Sequence, residues 1–277
     1  YELKEISISS KNKMIGYGDK EHLIIVSKID ENDEKYEVLN YASRSIVNAK
    51  IPDSIKFISS FAFNGCKQMK SIEISENSEL RIIDEYAFKI HEIESFFFPK
   101  NLQILRNQWS QSMPQITISP SNKHFKYADE KHQIVVGKSD ETKEEYDVIV
   151  IGNRDITTVK IPNNIKIIES NAFSCCSKLT KVEIEPNSKL ERIGERAFES
   201  TNITTFIIPK SVEIIGQSCF GFCEQLKKIE IEKGSKLQSI SQNLFMFCGK
   251  LEEIEIPEES EIKTIGIDAF CSCPIEK

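Results

Sequence analysis

The sequence predicts a β-rich α/β solenoid, with a parallel sheet on its concave side and short helical or irregular segments on its convex side. Two sets of landmarks predict this fold. Strand ends recur at intervals of 23 to 25 residues within each run, at Ile51, Ile74, Phe98, Ile161, Ile184, Ile208, Ile231 and Ile256. Dipeptides that end in phenylalanine, such as Ala62-Phe63, Ala172-Phe173 and Cys219-Phe220, follow the same period. Each unit exposes an apolar edge that only a neighbouring unit can cover, so the units stack.

A larger duplication overlies the short repeat. Residues 6–105 align without a gap on residues 116–215, and 42 of these 100 positions are identical. We therefore predict a single solenoid domain over residues 1–277. A first block, 6–115, contains an island at 11–45; its duplicate, 116–225, contains an island at 121–155; residues 226–277 add further, truncated repeats. Because strand positions begin at Leu3 and a new repeat would begin after Cys273, we expect the sequence to be a piece of a longer protein.

The two islands depart from the repeat and predict inserted β-hairpins. In the second island, the apolar run QIVVG is followed by the polar turn SDETKEE and by the apolar run YDVIVIG. The first island has HLIIVSK, IDENDEK and YEVLNY in the same order. Two apolar runs joined by a short polar turn are typical of a hairpin, which we expect to pack on the solenoid flank.

The cysteines occupy one position of the repeat, three residues after the repeat phenylalanine, at Cys66, Cys176, Cys223, Cys248 and Cys273. A recurring position favours core packing, because a free cysteine behaves as a small hydrophobe. Disulfide bonds remain an alternative in an oxidising compartment.

Trp109 lies where the repeat phenylalanine is missing, since Gln108-Trp109-Ser110 aligns with Ser218-Cys219-Phe220. We expect its indole to fill the space of that phenylalanine. The alternative is an exposed tryptophan that anchors a binding partner.

The repeat resembles one branch of the leucine-rich repeats, the BspA-like repeats of bacterial and protist surface proteins. The resemblance is carried by KIPDSIKFISSFAFNGC, IIPKSVEIIGQSCFGFC and LERIGERAF, and it recurs in seven or eight units along nearly the whole chain. It implies a leucine-rich-repeat solenoid, surface exposure, and adhesion to host or matrix proteins or to other cells.

The outward positions of the predicted strands form the candidate binding surface. In the pattern L-x-x-I-x-I the named residues point into the core, and the residues between them face outward on the concave sheet. The candidate protein-binding residues are Lys50, Glu73, Phe97, Thr117, Lys160, Glu183, Ile207, Glu230 and Glu255. Phe97 and Ile207 are the two apolar members of the wider outward set, and they are equivalent under the duplication.

Composition and motifs argue against other function classes. The net charge of −7 is spread over mixed lysine and glutamate, without the basic stripe of a nucleic-acid-binding protein. No apolar stretch is long enough to insert into a membrane. No phosphate loop, HExxH motif or paired CxxC occurs, and the four histidines do not converge with a nucleophile by spacing. We therefore predict no enzyme activity, no cofactor and no metal site.

These observations favour the interpretation that the chain is a non-enzymatic, protein-binding ectodomain fragment. We expect it to lie at the cell surface or to be secreted. Its expected partner is another protein, such as a host extracellular-matrix or cell-surface protein. The alternative is a cytoplasmic structural or scaffolding repeat protein. The sequence leaves the oligomeric state open.

Overall fold

The computed structural model describes residues 6–88, 93–106, 108–110 and 115–275. The chain divides into two compact units, Tyr1–Phe125 and Lys126–Lys277, and each is described by itself. The predicted single domain over residues 1–277 stays a prediction.

Short β-strands make up the regular structure of both units. Those that begin in the first unit are β1 Ile15–Tyr17, β2 Ile24–Ser27, β3 Val38–Ala42, β4 Asn48–Lys50, β5 Phe57–Ile58, β6 Ser71–Glu73, β7 Ile82–Ile83, β8 Ser95–Phe98, β9 Ile104–Leu105, β10 Gln115–Ile118 and β11 Phe125–Tyr127. Those of the second unit are β12 Ile134–Gly137, β13 Val148–Gly152, β14 Thr158–Ile161, β15 Ile167–Ile168, β16 Lys181–Ile184, β17 Arg192–Ile193, β18 Thr205–Ile208, β19 Ile214–Ile215, β20 Lys228–Ile231, β21 Ser239–Ile240, β22 Glu253–Glu255 and β23 Thr264–Ile265.

The three- and four-residue strands that follow the islands form separate two- and three-stranded parallel sheets, which we refer to together as the long-strand sheet. In the first unit β4 pairs with β6 and β8 with β10; in the second, β14 pairs with β16, and β18, β20 and β22 form a row. All of these pairs are parallel and in register, one repeat apart. Apart from Phe97 in β8 and Ile207 in β18, apolar and polar residues alternate along these strands, so one set of side chains points into the core and the other points outward. This is the parallel sheet that the repeat period predicts.

The two-residue strands also belong to separate sheets, which we refer to together as the short-strand sheet, and two of these sheets begin with the islands. Strands β5, β7 and β9 extend in parallel from β3, as β15, β17 and β19 extend from β13. The predicted hairpins are confirmed, because β2 pairs antiparallel with β3 and β12 with β13. Each hairpin also supplies the first strand of the parallel row, so an island is joined to its solenoid by backbone hydrogen bonds.

The segments opposite the long-strand sheet are irregular turns, and no helix occurs in the described residues. The prediction of short helical or irregular segments there is therefore confirmed in its irregular form, and no helical form occurs in this part of the chain. Residues four apart, such as Ser218 and Phe222 or Asn243 and Phe247, adopt positive φ angles of 54° to 60°. This left-handed conformation costs a residue with a β-carbon about 1–2 kcal/mol in a helix and interrupts the helical hydrogen-bond series, so successive tight turns form instead.

Stacked phenylalanine rings fill the core of each unit. In the second unit the centroids of Phe173 and Phe198 lie 5.3 Å apart, and the rings of Phe198, Phe220, Phe245 and Phe270 follow at 5.6 Å steps. Such offset ring pairs add to the stability that burial of apolar area provides.

Trp109 takes the place of a repeat phenylalanine in the first unit. Its side chain is buried and lies edge-on to the rings of Phe88 and Phe96 at 6.2 Å and 5.1 Å. Phe220 contacts the equivalent rings, Phe198 and Phe206, in the second unit. The predicted core role of Trp109 is confirmed, and the alternative of an exposed anchor is wrong.

The repeat cysteines form a second ladder beside the rings. Cys66, Cys176, Cys223 and Cys248 are buried, as predicted, whereas Cys273 is half-buried. The thiols of Cys223, Cys248 and Cys273 donate to the carbonyl oxygens of Phe198, Phe220 and Phe245 at 3.0 to 3.1 Å. Burial raises the pKa of the Cys223 thiol to about 11, so this group stays protonated at neutral pH and can act as the donor.

Close approach of neighbouring turns explains the glycines of the short-strand sheet. A β-carbon on Gly216 would lie 2.3 Å from the backbone nitrogen of Glu195, and one on Gly194 would lie 2.3 Å from that of Ser170. Backbone atoms cannot move aside as a flexible side chain can, so only glycine fits at these two positions.

Candidate functional site

The predicted binding residues all lie on outward positions of the long-strand sheet, in two groups. The first unit carries Lys50, Glu73, Phe97 and Thr117, and the second carries Lys160, Glu183, Ile207, Glu230 and Glu255. Seven of the nine side chains are exposed; Phe97 and Glu230 are half-buried. The pattern therefore identified outward-facing side chains in each unit, and their role in binding stays a prediction.

Strand register sets which of these residues are neighbours. In the second unit Lys160 lies opposite Glu183, Ile207 opposite Glu230, and Glu230 opposite Glu255. In the first unit Lys50 lies opposite Glu73, and Phe97 opposite Thr117. Parallel, in-register strands thus place equivalent residues of successive repeats side by side.

Ion pairs organise the charges on this surface. In the first unit the ammonium group of Lys50 lies 2.9 Å from Glu73. In the second, Lys181 contacts Glu183 at 2.5 Å, and Lys228 lies between Glu253 and Glu255, at 3.4 Å and 2.5 Å. A further pair joins Lys160 to Glu185, which follows β16, at 2.9 Å.

The hydrogen bonds within these ion pairs shift the pKa values of the groups that form them. The hydrogen bond from Lys181 lowers the pKa of Glu183, and the hydrogen bond from Lys228 lowers that of Glu255. The hydrogen bond to Glu185 likewise raises the pKa of Lys160. These groups remain charged at neutral pH, which suits an electrostatic contact surface better than proton transfer.

The two apolar members of this surface differ in exposure. Ile207 is 48% exposed. Phe97 lies between the buried Phe96 and Phe98 and is less exposed than Ile207. The expectation that both are outward apolar residues holds fully for Ile207 and in part for Phe97. Ile207 is therefore the better candidate anchor.

An open recess of ≈570 Å³ lies at the edge of this surface in the second unit. Its walls are made by Lys160, Asn163, Glu183, Ile184, Glu185 and Pro186. Ion pairs occupy much of its polar lining, since Lys160 bonds Glu185. Asn163 also donates its backbone N–H to a Glu185 carboxylate oxygen at 3.2 Å.

Two exposed features were not predicted from the sequence. One is the short-strand sheet, whose Ile214 and Ile265 are 58% and 64% exposed; the paired apolar residues Ile82-Ile83, Ile167-Ile168 and Ile214-Ile215 were its signal. The other is a set of exposed rings on the turns, among them Phe222 and Phe247. The motif Phe-x-Phe, repeated after 25 residues, could have indicated them.

The family of the chain follows from comparison with known repeats. The sequence profile described as "BspA type Leucine rich repeat region" matches six copies, over residues 36–129 and 151–276. The chain belongs to this family. The match covers most of both blocks and confirms the resemblance that the repeat motifs carry.

Solved leucine-rich-repeat structures share the fold. The pneumococcal vaccine antigen PcpA is 19% identical, with a TM-score of 0.59 over 87% of this chain and 71% of its own. A leucine-rich cell-surface protein from Faecalibacterium prausnitzii is 18% identical, with a TM-score of 0.54 over 79% of this chain and 64% of its own, which is less than two thirds. A leucine-rich-repeat protein from Eubacterium ventriosum is 17% identical, with a TM-score of 0.56 over 86% and 81%.

No curated protein sequence matches the chain. Among the described residues, His, Cys, Asp and Glu side chains form no cluster of three that could bind a metal ion. The same part of the chain contains no helix with the length and apolar character needed to cross a membrane.

Proposed function

We propose that this chain is a non-enzymatic binding module, which holds another protein on the outward face of its long-strand sheet at the cell surface or after secretion. The observation that carries the proposal is the exposure of the Ile207 side chain on this face. Ile207 has an aliphatic side chain, about half exposed, on a sheet face of the second unit whose other outward residues are polar and include several lysine–glutamate ion pairs.

The chemistry of this face suits a protein partner. A large apolar side chain surrounded by polar groups has the arrangement of an interface core with its rim. The strands that present it are held in register by backbone hydrogen bonds, so little conformational entropy is lost when a partner binds. The carboxylates of Glu183, Glu230, Glu253 and Glu255 outnumber the lysines Lys160, Lys181 and Lys228, which favours a partner with cationic groups.

The family and its structural relatives support the location. Two of the similar structures are described as a vaccine antigen and as a cell-surface protein. Adhesion to a host or matrix protein is the form of binding that we propose for this chain.

Replacing Ile207 with lysine should weaken partner binding at least tenfold and leave folding intact. The change puts a charge where an apolar anchor is desolvated in the complex, whereas in the free protein the side chain already meets water. Binding is measured against an array of immobilised extracellular-matrix and cell-surface proteins, and folding by thermal unfolding.

Ile214→Lys is the matched control, because Ile214 is equally apolar and 58% exposed but lies on the short-strand sheet. It should change binding less than twofold. Equal binding by the wild type and Ile207→Lys would place the site elsewhere. If wild type binds no arrayed protein at micromolar concentration, adhesion is wrong and the scaffolding alternative gains support.

A further inference from the structure

A second stack of phenylalanine rings lies outside the core of the second unit. The ring centroids of Phe222 and Phe247 are 5.0 Å apart, with an angle of 27° between their planes. Phe222 is 41% and Phe247 44% exposed, whereas Phe220 and Phe245, two residues earlier, are fully buried. We call Phe222 and Phe247 the outer aromatic pair.

The backbone at the outer aromatic pair does not require aromatic residues. Both residues have positive φ angles, 58° and 60°. Equivalent turns carry Gly65, Cys175, Ser200 and Ser272 at this position, also with positive φ. A bulky side chain is among the less favourable choices for this conformation, and strained residues are concentrated at functional sites.

Backbone hydrogen bonds align these positions into one row along the turns. The N–H of Ser200 donates to Gly221, that of Phe222 to Met246, and that of Phe247 to Cys271, at 2.8 to 2.9 Å. Successive members of the row therefore come from successive repeats. Ser200 lies on one side of the outer aromatic pair and Ser272 on the other, and a serine has no ring to cover the outward ring faces.

The exposed area sets the size of the occupant. A phenylalanine side chain buries roughly 200 Å² in a core, so exposed fractions of 41% and 44% leave about 170 Å² for the outer aromatic pair. A stable dimer buries about 800 Å² on each partner, which is far more than this pair can supply. The area matches one ring instead.

The chemistry sets the class of occupant. The neighbours of the outer aromatic pair include the half-buried Met246 and the exposed Cys271, and phenylalanine has no polar group with which to orient a sugar. In the core, each interior ring is covered on both sides by rings of adjacent repeats. A guest ring beside Phe222 would continue the outer stack in the same way.

We propose that the outer aromatic pair binds an aromatic side chain displayed by a partner protein, which stacks on an outward ring face of the pair, on Phe222 beside Ser200 or on Phe247 beside Ser272. This site is separate from the long-strand sheet and does not depend on the function proposed there.

The test starts from a phage-displayed library of random dodecapeptides selected on the full chain. Enriched peptides are then measured against variants of the outer aromatic pair and its flanking serines. We expect the peptides to share an aromatic residue and to bind the double variant Phe222→Asn/Phe247→Asn at least tenfold more weakly. The melting temperature of this variant should be equal or higher, since asparagine tolerates positive φ better than phenylalanine.

Two further variants locate the guest ring. Ser200→Phe should fill the space beside Phe222 with a ring of the protein itself, and Ser272→Phe should do so beside Phe247. One of the two variants should weaken peptide binding at least tenfold, which gives the side of the guest ring, and unchanged binding by both would overturn the proposal.

The proposal would be overturned if no peptide were enriched, or if the enriched peptides shared no aromatic residue. It would also be overturned if the double variant bound the peptides as tightly as wild type. A lower melting temperature of the double variant would mean that the pair has a structural role instead. Self-association of wild type that the double variant loses would identify a second copy as the occupant, and binding to a glycan array that it loses would identify a sugar.

Discussion

Replacing Phe220 with alanine should destabilise the protein by about 3–5 kcal/mol, the range typical of a fully buried phenylalanine. Its side chain has no exposed area, and its ring contacts those of Phe198, Phe206 and Phe245. Neighbouring repeats are aligned by the stack, so the cavity cannot close without shifting a turn. The free energy of unfolding is measured by urea titration.

Phe222→Ala is the matched control, because it removes the same side chain two residues away from an exposed position. It should change the free energy of unfolding by no more than about 0.5 kcal/mol. If the two variants were equally destabilised, the inner stack would not be the main source of stability at this repeat.

The periodic landmarks were enough to predict most of the fold. The repeat of strand ends predicted the long-strand sheet, and the polar turns inside the islands predicted both hairpins, because hairpin turns and alternation are local signals. Trp109 could be placed in the core by aligning it with the phenylalanine repeat. The outward position of Ile207 likewise followed from period-two alternation.

The turns could not be predicted in the same way. Left-handed backbone was not visible from composition, because residues as different as Phe222, Asn243 and Asp268 adopt it. Hydrogen bonds between successive repeats impose this conformation, as when Phe222 donates to Met246. The choice between helical and irregular segments could not be made from the sequence, and the outer aromatic pair was missed, because both depend on contacts between repeats.

The junction between the second island and its solenoid depends on one buried carboxylate. Asp147 is 1% exposed and accepts hydrogen bonds from the backbone N–H and the hydroxyl of Ser139, at 2.8 Å and 2.7 Å, and from Lys166 at 2.8 Å. Ser139 follows the hairpin strand β12, and Lys166 precedes β15, so the carboxylate holds the island against the first repeat. The first block has the corresponding pair Glu37 and Lys56.

Asp147→Ala should therefore destabilise the protein by about 2–3 kcal/mol, because three hydrogen bonds to a charged, buried acceptor are lost. Asp155→Ala is the control. Asp155 also bonds a lysine, Lys178, at 2.6 Å, but its side chain is 73% exposed, and an exposed pair contributes little. Equal losses in the two variants would contradict a special role for the buried carboxylate.

The pH dependence of stability separates this junction from simple packing. Burial of Asp147 raises its pKa, but the hydrogen bonds from Lys166 and Ser139 outweigh burial, and the pKa lies below its ordinary value. The hydrogen bond to Asp147 raises the pKa of Lys166. A lowered carboxyl pKa stabilises the folded state above the unfolded pKa, about 4, and a raised lysine pKa does so below about 10.

The contribution of the pair should thus be complete between these values, and it should be lost as the pH falls through the folded pKa of Asp147 or rises through that of Lys166. Urea titrations of wild type and Asp147→Ala across this range should show a constant difference near neutrality that shrinks at acid pH. A difference independent of pH would mean that Asp147 acts through packing alone, and the island would then be held by the backbone hydrogen bonds of β13 and β15.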